Sequence, residues 1–341
     1  MRNVKSTLGK IVERIFKYKK VFVILFMLLV VSVPMLNLSS YIMRILILGG
    51  IYMVLTLSLN LLTGFTGQVS LGHAAFYGIG AYTSALLSLK FGYSFLITAT
   101  CGGIMAAIFG ILLGSPTLKL QGSYLSIVTL GFCEIARIIE LNWMSLTRGP
   151  LGLPGIPTPK IFGFTIEKDR GYYYLVVVLI LITIFAIKNI INSRTGRAMI
   201  AIREDDIAAE AMGINIFKYK LLAFTISAFF AGLAGSFYAH YVTFIDPQSF
   251  TFDESIQILS MVILGGMGSI PGSIIGALVL VSIPEMLRSV QEYRMVIYGI
   301  VLVFMMLVRP QGLFGNVNFS KILKRLASNK DGKTEEVGKN A

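Results

Sequence analysis

Long apolar runs constrain the fold of this chain more than any other feature of its sequence. Several approach the ~20 residues that a helix needs to cross a bilayer. Val21–Leu36 and Tyr173–Ile187 are apolar on every face, whereas the strands of a membrane β-barrel alternate apolar and polar residues over about 10 positions. The runs therefore predict an all-α, polytopic bundle of membrane helices and argue against a barrel.

The balance of charge supports a membrane protein. Only 14% of the 341 residues are charged and 55% are hydrophobic, while soluble domains are about 25% charged. The chain thus has too few charges to solvate a globule of its size. The formal net charge of +13 could indicate nucleic-acid binding. Because the basic residues lie in short blocks between apolar runs, we interpret them as topology signals and expect no nucleic-acid partner.

The apolar runs predict about 8–10 transmembrane helices, some of them broken or re-entrant. We expect spans at 20–38, 42–62, 68–89, 94–114, 122–142, 172–190 and 219–240, then a Gly-rich apolar stretch at 255–284 and a last span at 294–308. The chain would then divide into a basic N-terminus at 1–19, a transmembrane domain at 20–308 and a basic tail at 309–341.

Basic residues set the expected orientation in the membrane. Residues 1–20 carry seven Lys or Arg against one acid, residues 309–341 seven against three, and the loop 188–220 six against four. The loop 241–255 carries three acids and no Lys or Arg. By the positive-inside rule, both termini and the loop 188–220 lie in the cytoplasm, and the loop 241–255 lies outside.

The number of crossings must agree with this orientation. Six spans from residue 20 return the chain to the cytoplasm at residue 190, and the span 219–240 takes it out again. The last span supplies one inward crossing, so the stretch 255–284 has to contribute an even number. Two short helices that meet near 265–272 satisfy this condition, and the glycines and proline there weaken a continuous helix.

A weak internal repeat, which would relate two inverted halves of the chain, points to the same region. Gly64–Val69 resembles Gly265–Ile270, and each segment is flanked by apolar helix. Transporters with inverted repeats often carry glycine-interrupted segments at corresponding positions near the substrate path. Alternatively, the glycines only allow close helix packing. The candidates for a pathway or a broken helix are Gly64, Gly67, Gln68, Ser70, His73, Gly265, Gly266 and Gly268.

Three ionisable residues are predicted inside apolar helices. His73 either lines a pathway or forms a structural hydrogen bond to a carbonyl of a neighbouring helix. Glu134 and Arg137 are three positions apart and so share one face of a helix. Since a lone charge at that depth costs about 2.5–3.5 kcal/mol, we expect the two to form an intramembrane pair, either structural or involved in substrate passage.

The sequence contains no motif for chemistry of its own. It lacks the G-x-x-x-x-G-K-[ST] loop that cradles ATP phosphates. Its two cysteines, Cys101 and Cys133, and its two histidines show no metal-ligand or disulfide spacing. We therefore expect no metal, no bound cofactor and no catalytic residue. The first apolar run is long and no A-x-A-like site follows it, which argues against a cleaved signal peptide.

The loop 188–220 is the most informative polar segment. Asp205 or Asp206 can cap the N-terminus of a short alanine-rich helix, and Gly213 is a natural stop for it. The apolar residues of this helix would share one face at spacings of four and three. A short amphipathic helix of this kind suits docking into a groove of a partner; a solvated loop is the alternative.

Six segments, taken together and in order, are more specific than any single motif. They are Asn60–Phe76, Gly122–Gly131, Gly149–Ile156, Arg203–Gly213, Gly265–Gly268 and Arg309–Gly315. Through them almost the whole chain, about 40–315, resembles the permease subunits of bacterial branched-chain amino acid ABC importers, and within these the LivM-like type.

The resemblance implies a five-part importer. This chain would form a heterodimer with a second, homologous permease, joined by two ATP-binding cassette subunits and an extracytoplasmic amino-acid-binding protein. ATP and Mg²⁺ would bind to the ATPase subunits, so this chain would be no enzyme. The segment Ala208–Gly213 is similar to the coupling helix that sits in a cleft of an ATPase subunit. Its Ala-Ala-Glu-Ala order departs from the Glu-Ala-Ala of other importer families, which leaves open which acid meets the ATPase.

The coupling residues that the resemblance implies lie in a cytoplasmic loop at about 191–218. They are Glu204, Asp205, Asp206, Ala208, Ala209, Glu210, Ala211 and Gly213. The same resemblance places the protein in the bacterial cytoplasmic (inner) membrane as a multi-pass importer of branched-chain, hydrophobic amino acids. We expect its basic tail to be held by anionic membrane lipid.

Two alternatives stay open. A permease of the same superfamily could carry urea, short amides or sugars instead. A self-sufficient, ion-coupled secondary transporter or channel would need carboxylates inside the bundle, for which Glu134 is the clear candidate.

Overall fold

The computed structural model of the chain describes residues 32–36, 39–118, 124–161, 164–166 and 169–286, together with residues 299, 303, 312 and 313. The predicted spans 20–38 and 294–308 lie largely outside the described residues, as do the predicted basic ends 1–19 and 309–341. The helices and strands below belong to one compact unit, Ser40–Gly315. Of the other unit, the described part includes a short 3-10 helix, Val33–Leu36.

Eleven α-helices lie in the described part of the compact unit. They are α1 (Ser40–Thr66), α2 (His73–Phe91), α3 (Phe95–Thr117), α4 (Tyr124–Asn142), α5 (Met144–Thr147), α6 (Asp169–Asn192), α7 (Arg194–Glu204), α8 (Asp206–Ala211), α9 (Ile216–Val242), α10 (Phe252–Gly265) and α11 (Ile270–Met286). The strands are β1 (Leu153–Pro154), β2 (Lys160–Ile161), β3 (Phe164–Thr165) and β4 (Phe244–Ile245), and two further 3-10 turns span Gly149–Leu151 and Pro247–Phe250.

The helices confirm the predicted fold class. α1, α3, α6 and α9 are each long and apolar enough to cross a membrane, and each overlaps a span predicted from the sequence. The described part of the chain is therefore an all-α, polytopic membrane bundle.

α9 packs mainly on α3, α2 and α1, while α6, α10 and α11 pack on α1. Small residues make these contacts close. A Cβ added at Gly80 of α2 would overlap the backbone of Gly232 in α9, and one at Gly235 would overlap the carbonyl of Tyr77. Inside a bilayer, lipid tails are as apolar as the side chains, so hydrophobic burial does not hold helices together. Close backbone packing of this kind does so instead.

Two glycine-rich interruptions break the membrane helices. Between α1 and α2 the backbone leaves the helix at Gly67, which has a φ of +74°. Between α10 and α11, Gly266 and Gly268 take positive φ values of +111° and +79°. We define residues 67–72 as the first break and residues 266–269 as the second break.

The second break is consistent with the requirement that residues 255–284 cross the membrane an even number of times. α10 and α11 are two short helices that meet near 265–272, as predicted. α10 has 14 residues, about 21 Å of helix, which is shorter than the ~30 Å hydrocarbon core of a bilayer. A single 30-residue helix is thereby excluded for the stretch 255–284.

The predicted limits of two segments need correction. α1 continues to Thr66, so Gly64 lies in its last turn and not in the unwound part, and the span predicted from residue 68 begins only at His73. The segment predicted as a largely polar loop at 191–218 contains α7 as well as α8. α7 forms because Met199 and Ile202 bury themselves in the bundle, and such tertiary packing stabilises short helices more than propensity does.

Short strands tie two connecting loops together at one end of the bundle. β1 pairs antiparallel with β4, with Leu153 opposite Ile245, and β2 pairs with β3. The loop that precedes α6 and the loop that follows α9 therefore share one side of the membrane. α7 and α8 follow α6 and precede α9, so they lie at the other end.

Candidate functional site: the two breaks and the coupling segment

The end of α1 and the second break, far apart in sequence, meet at a single buried side chain. Asn60 Oδ1 accepts a hydrogen bond from the backbone N–H of Gly268 at 2.8 Å. Its Nδ2 donates to the carbonyl of Ser269 at 3.1 Å and to Ser273 Oγ at 2.7 Å. Asn60 is 1% exposed, and a buried amide is stable only when its polar atoms are bonded in this way. The end of α1 and the second break are therefore held as one unit.

The contact between Asn60 and Gly268 also requires a glycine at position 64. A Cβ at this position would overlap the side chain of Asn60 and the backbone nitrogen of Gly268. In the second break, a Cβ at Gly265 would overlap the carbonyl of Gly272. Gly64 and Gly265 thus lie where two stretches of backbone cross so closely that no side chain fits between them.

Three further candidates, Gln68, Ser70 and His73, are buried beside the first break. His73 Nε2 lies 2.8 Å from Ser58 Oγ on α1, and the ring also hydrogen-bonds to the backbone of Leu55 on the same helix. A structural hydrogen bond to the backbone of a neighbouring helix, one of the two expectations, is therefore present. Ser70 Oγ accepts from Gly72 N at 3.4 Å. Neither amide atom of Gln68 has a hydrogen-bond partner among the described residues.

The N-terminus of α2 is bonded by a residue that the sequence did not single out. Ser255 Oγ of α10 accepts from the backbone N–H of Ala74 at 2.9 Å. The first N–H groups of a helix have no intrahelical partner, so this hydroxyl ties the start of α2 to α10.

That Gln68, Ser70 and His73 line a substrate pathway remains a prediction.

A cavity of about 590 Å³ lies at the end of the bundle that carries α7. Its described lining is Thr66, Gly67, Gln68, Val69, Leu118, Leu125, Ser126, Ile202, Arg203, Glu204, Asp205, Asp206 and Lys220. The charged groups on this wall already pair within the protein: Arg203 with Glu204, and Lys220 Nζ with Asp206 Oδ2 at 3.6 Å. The cavity is therefore a polar recess between the first break and the joint of α7 and α8.

The coupling segment, which we define as α7, α8 and Gly213, has the capped geometry that its sequence predicts. Asp205 is the N-cap of α8, and its Oδ1 accepts from Ala208 N at 3.0 Å. Gly213 has a φ of +82° and donates its N–H to the carbonyl of Glu210 at 2.8 Å. Of the two aspartates that could have been the cap, Asp205 takes that position and Asp206 lies in the first turn.

The exposed surface of α8 is apolar at both of its ends. Ile207 is 79% exposed and Met212 is 82% exposed, and Ala208 and Ala211 lie exposed between them. Ala209, by contrast, is buried against the rest of the chain. It therefore anchors the helix and does not present a side chain to a partner.

The four acids of the coupling segment differ in what they contact. Glu204 bonds to Arg203 and Asp206 to Lys220, while Asp205 caps α8. Glu210 is exposed and forms no ion pair with any described residue. Of these four acids, Glu210 is thus the one with the most freedom to meet a partner's charge.

The predicted intramembrane pair forms within one helix. Arg137 donates to Glu134 Oε2 from Nε at 3.0 Å and from Nη2 at 2.7 Å. The two side chains are 24% and 34% exposed, and they lie on the face of α4 that also exposes Ile127, Ile135 and Ile138. This outward face of α4 carries charge and is not covered by the described part of the chain.

No cluster of three His, Cys, Asp or Glu side chains that could hold a metal ion occurs among the residues that the structure describes. Both cysteines are free thiols.

Residues 41–306 match the family model described as "Branched-chain amino acid transport system / permease component". The chain belongs to this permease family. The resemblance drawn from the six sequence segments is therefore confirmed, and the protein is a multi-pass membrane permease of that family.

Individual relatives support the same assignment. The chain is 40% identical over 318 residues, covering 86% of this chain and 75% of the relative, to the high-affinity branched-chain amino acid transport system permease protein LivM of Escherichia coli (strain K12). It is 28% identical over 297 residues to the permease protein LivH of Salmonella typhimurium, covering 81% and 94% of the two chains. It is 26% identical over 323 residues to a probable LivM permease of Methanocaldococcus jannaschii, covering 79% and 92%. No solved structure matches the chain significantly.

Proposed function

We propose that this permease is the membrane subunit of an ABC importer that carries branched-chain, hydrophobic amino acids into the cell. The observation that carries the proposal is α8, a capped helix that presents exposed apolar ends in a chain of this family. In this proposal residues 20–308 form the permease domain with a coupling loop at about 191–218. The basic ends 1–19 and 309–341 lie in the cytoplasm of a bacterial inner membrane.

α8 is the proposed docking element for a cytoplasmic ATPase. It has six residues, so it gains little stability of its own. It is held instead by its cap, by Ala209 and by the contact of Asp206 with Lys220. This arrangement leaves Ile207 and Met212 free to enter an apolar cleft, as a helix does in a groove.

The outward face of α4 is the proposed contact with the second permease. Charged groups at bilayer depth almost always face a bundle interior or a water-filled cavity, since lipid cannot solvate them. Glu134 and Arg137 are partly exposed on a face with no cover from the described residues. A homologous permease, similar in kind to the LivH proteins that this chain matches, would place them at a subunit boundary.

The proposed mechanism is that of an ATP-driven importer. In it, ATP and Mg²⁺ bind to the two ATPase subunits. ATP binding closes the ATPase pair, moves the docked α8 and switches the pathway from outward- to inward-facing. An extracytoplasmic binding protein delivers the amino acid and determines most of the selectivity, because a deep binding well inside the permease would slow release.

Reconstitution in liposomes tests the proposal. The complete set of a second permease, two ATPases and a binding protein should take up leucine only with ATP, and Glu210→Lys should lower uptake while the complex still assembles. Lys218→Glu serves as the control charge reversal, because Lys218 is exposed in the same loop and forms no ion pair with any described residue. Leucine uptake by this chain alone, without ATPases, would instead show a secondary transporter. Uptake of urea in place of leucine would assign a different cargo.

A further inference from the structure

Arg203 contacts the end of α1 at a position that a helix leaves unsatisfied. Its Nη1 donates to the carbonyl of Gly64 at 2.7 Å. The last four carbonyls of a helix have no intrahelical donor, and the N–H of Gln68 bonds to Leu62 O instead, at 3.2 Å. A cation at a helix C-terminus also lies at the negative end of the helix dipole. Arg203 thus caps α1 from a different segment of the chain.

The same side chain packs against both breaks. A Cβ at Gly67 would come within 3.1 Å of Arg203 Cγ, and one at Gly268 within 2.9 Å of Arg203 Nη1. Gly268 is in turn bonded to Asn60. The side chain of Arg203 therefore lies between the first break, the second break and the end of α1, with Cγ at the first and the guanidinium at the other two.

Arg203 is also joined to α8 without an intervening linker. Asp205 ends α7, with its N–H bonded to Ala201 O at 3.1 Å, and the same residue caps α8. Arg203 lies two positions before this joint. On the other side, the guanidinium is oriented by Glu204, whose Oε1 accepts from Nε and Nη2, so that Nη1 remains directed at Gly64.

We propose that Arg203 is the positioning residue through which movement of α8 reaches the two breaks. The inference rests on the proposed function and adds a physical path to it: α8, the Asp205 joint, the Arg203 guanidinium and the Gly64–Asn60–Gly268 crossing. A planar guanidinium is needed because it bonds to Glu204 and to Gly64 at the same time, which the single ammonium of lysine does with poorer geometry.

The test uses the complete importer in proteoliposomes, with Cys101→Ser and Cys133→Ala as background. An environment-sensitive label on Met267→Cys, a half-exposed position of the second break, reports the break with and without vanadate-trapped nucleotide. In parallel, the amount of ATP hydrolysed per leucine imported is measured. Arg203→Gln should abolish most of the label's response and raise the ATP-to-leucine ratio about tenfold, the effect of losing one charge-assisted hydrogen bond.

Arg197→Gln is the matched control, because Arg197 lies on the same helix and, within the described part of the chain, its side chain bonds only locally, to Asn192 O at 3.3 Å. It should leave both readouts unchanged. Arg203→Lys should restore part of the response. If Arg203→Gln prevents assembly, Glu204→Gln removes the orienting carboxylate and should weaken the response.

The outcomes separate this inference from the proposed function. If the complex with Arg203 intact shows no ATP-dependent leucine uptake, the proposed function is contradicted. If that uptake is present but the label does not respond to nucleotide, the path from α8 to the second break is contradicted. A label that responds in the unsubstituted complex, and equally with Arg203→Gln or, if that variant does not assemble, with Glu204→Gln, would contradict the role of Arg203 alone.

Discussion

At the scale of single residues, Gly64 has no room for a side chain. In Gly64→Ala the new methyl group would overlap Asn60 and the backbone of Gly268, so we expect the free energy of unfolding in detergent to fall by about 1–3 kcal/mol, as for other overpacked sites. Gly131→Ala is the control, since a Cβ there meets no other atom within 4 Å. It should be neutral or stabilising by up to about 1 kcal/mol, because glycine weakens a helix. Equal losses in both variants would contradict the crossing described here.

The roles of the residues at this crossing differ in how far they can be predicted from the sequence. The glycines stand out because a short repeat of Gly64–Val69 appears at Gly265–Ile270. Asn60 gives no such signal, since its partner Gly268 lies 208 positions away and a single polar residue in an apolar helix does not indicate what it bonds to. Arg203 was visible only as part of a longer motif, and its contact with Gly64 depends on tertiary packing.

At the scale of elements, the end of α8 depends on one backbone conformation. Gly213 has a φ of +82°, which proline cannot adopt because its ring fixes φ near −65°. Gly213→Pro should therefore misplace α8 and lower ATP-driven uptake in the complete importer by about tenfold or more, while the complex still inserts in the membrane. Asn tolerates positive φ better than other residues, so Gly213→Asn should retain most uptake. Full uptake with Gly213→Pro would contradict the assignment of α8 as the coupling helix.

The cap and stop of α8 were predictable because their signals are local. Asp205 precedes an alanine-rich turn and Gly213 follows it, and both act within a few positions. α7 was not predicted, although Ser193 precedes it and accepts a hydrogen bond from Gly196 N. Its stability comes from the burial of Met199 and Ile202 in the bundle, which a mixed polar and apolar sequence with a glycine does not disclose.

At the scale of the whole molecule, two exposed helix faces are expected to meet different surroundings. The outward face of α4 exposes Ile135 beside the Glu134–Arg137 pair, whereas the face of α6 around Ile182 exposes only large apolar side chains. In a cysteine-free background, Ile135→Cys labelled with a short maleimide–diazirine reagent should photo-cross-link to the second permease, because the carbene released from the diazirine inserts into any neighbouring C–H bond. Ile182→Cys, facing lipid, should not. Cross-linking from α6 and none from α4 would show that the subunit boundary lies elsewhere.

The orientation of the whole chain follows from charge and can be measured with two further cysteines. Leu151 is 71% exposed in the loop before α6, and Met212 is 82% exposed after it, so one membrane crossing separates them. The basic residues of 188–220 place Met212 in the cytoplasm, because positively charged loops are retained there. In intact cells, a membrane-impermeant maleimide should therefore modify Leu151→Cys, and it should reach Met212→Cys only after permeabilisation. The reverse pattern would move α8 to the outer face, where no cytoplasmic ATPase could reach it, and would thereby remove the physical basis of ATP-driven import by this chain.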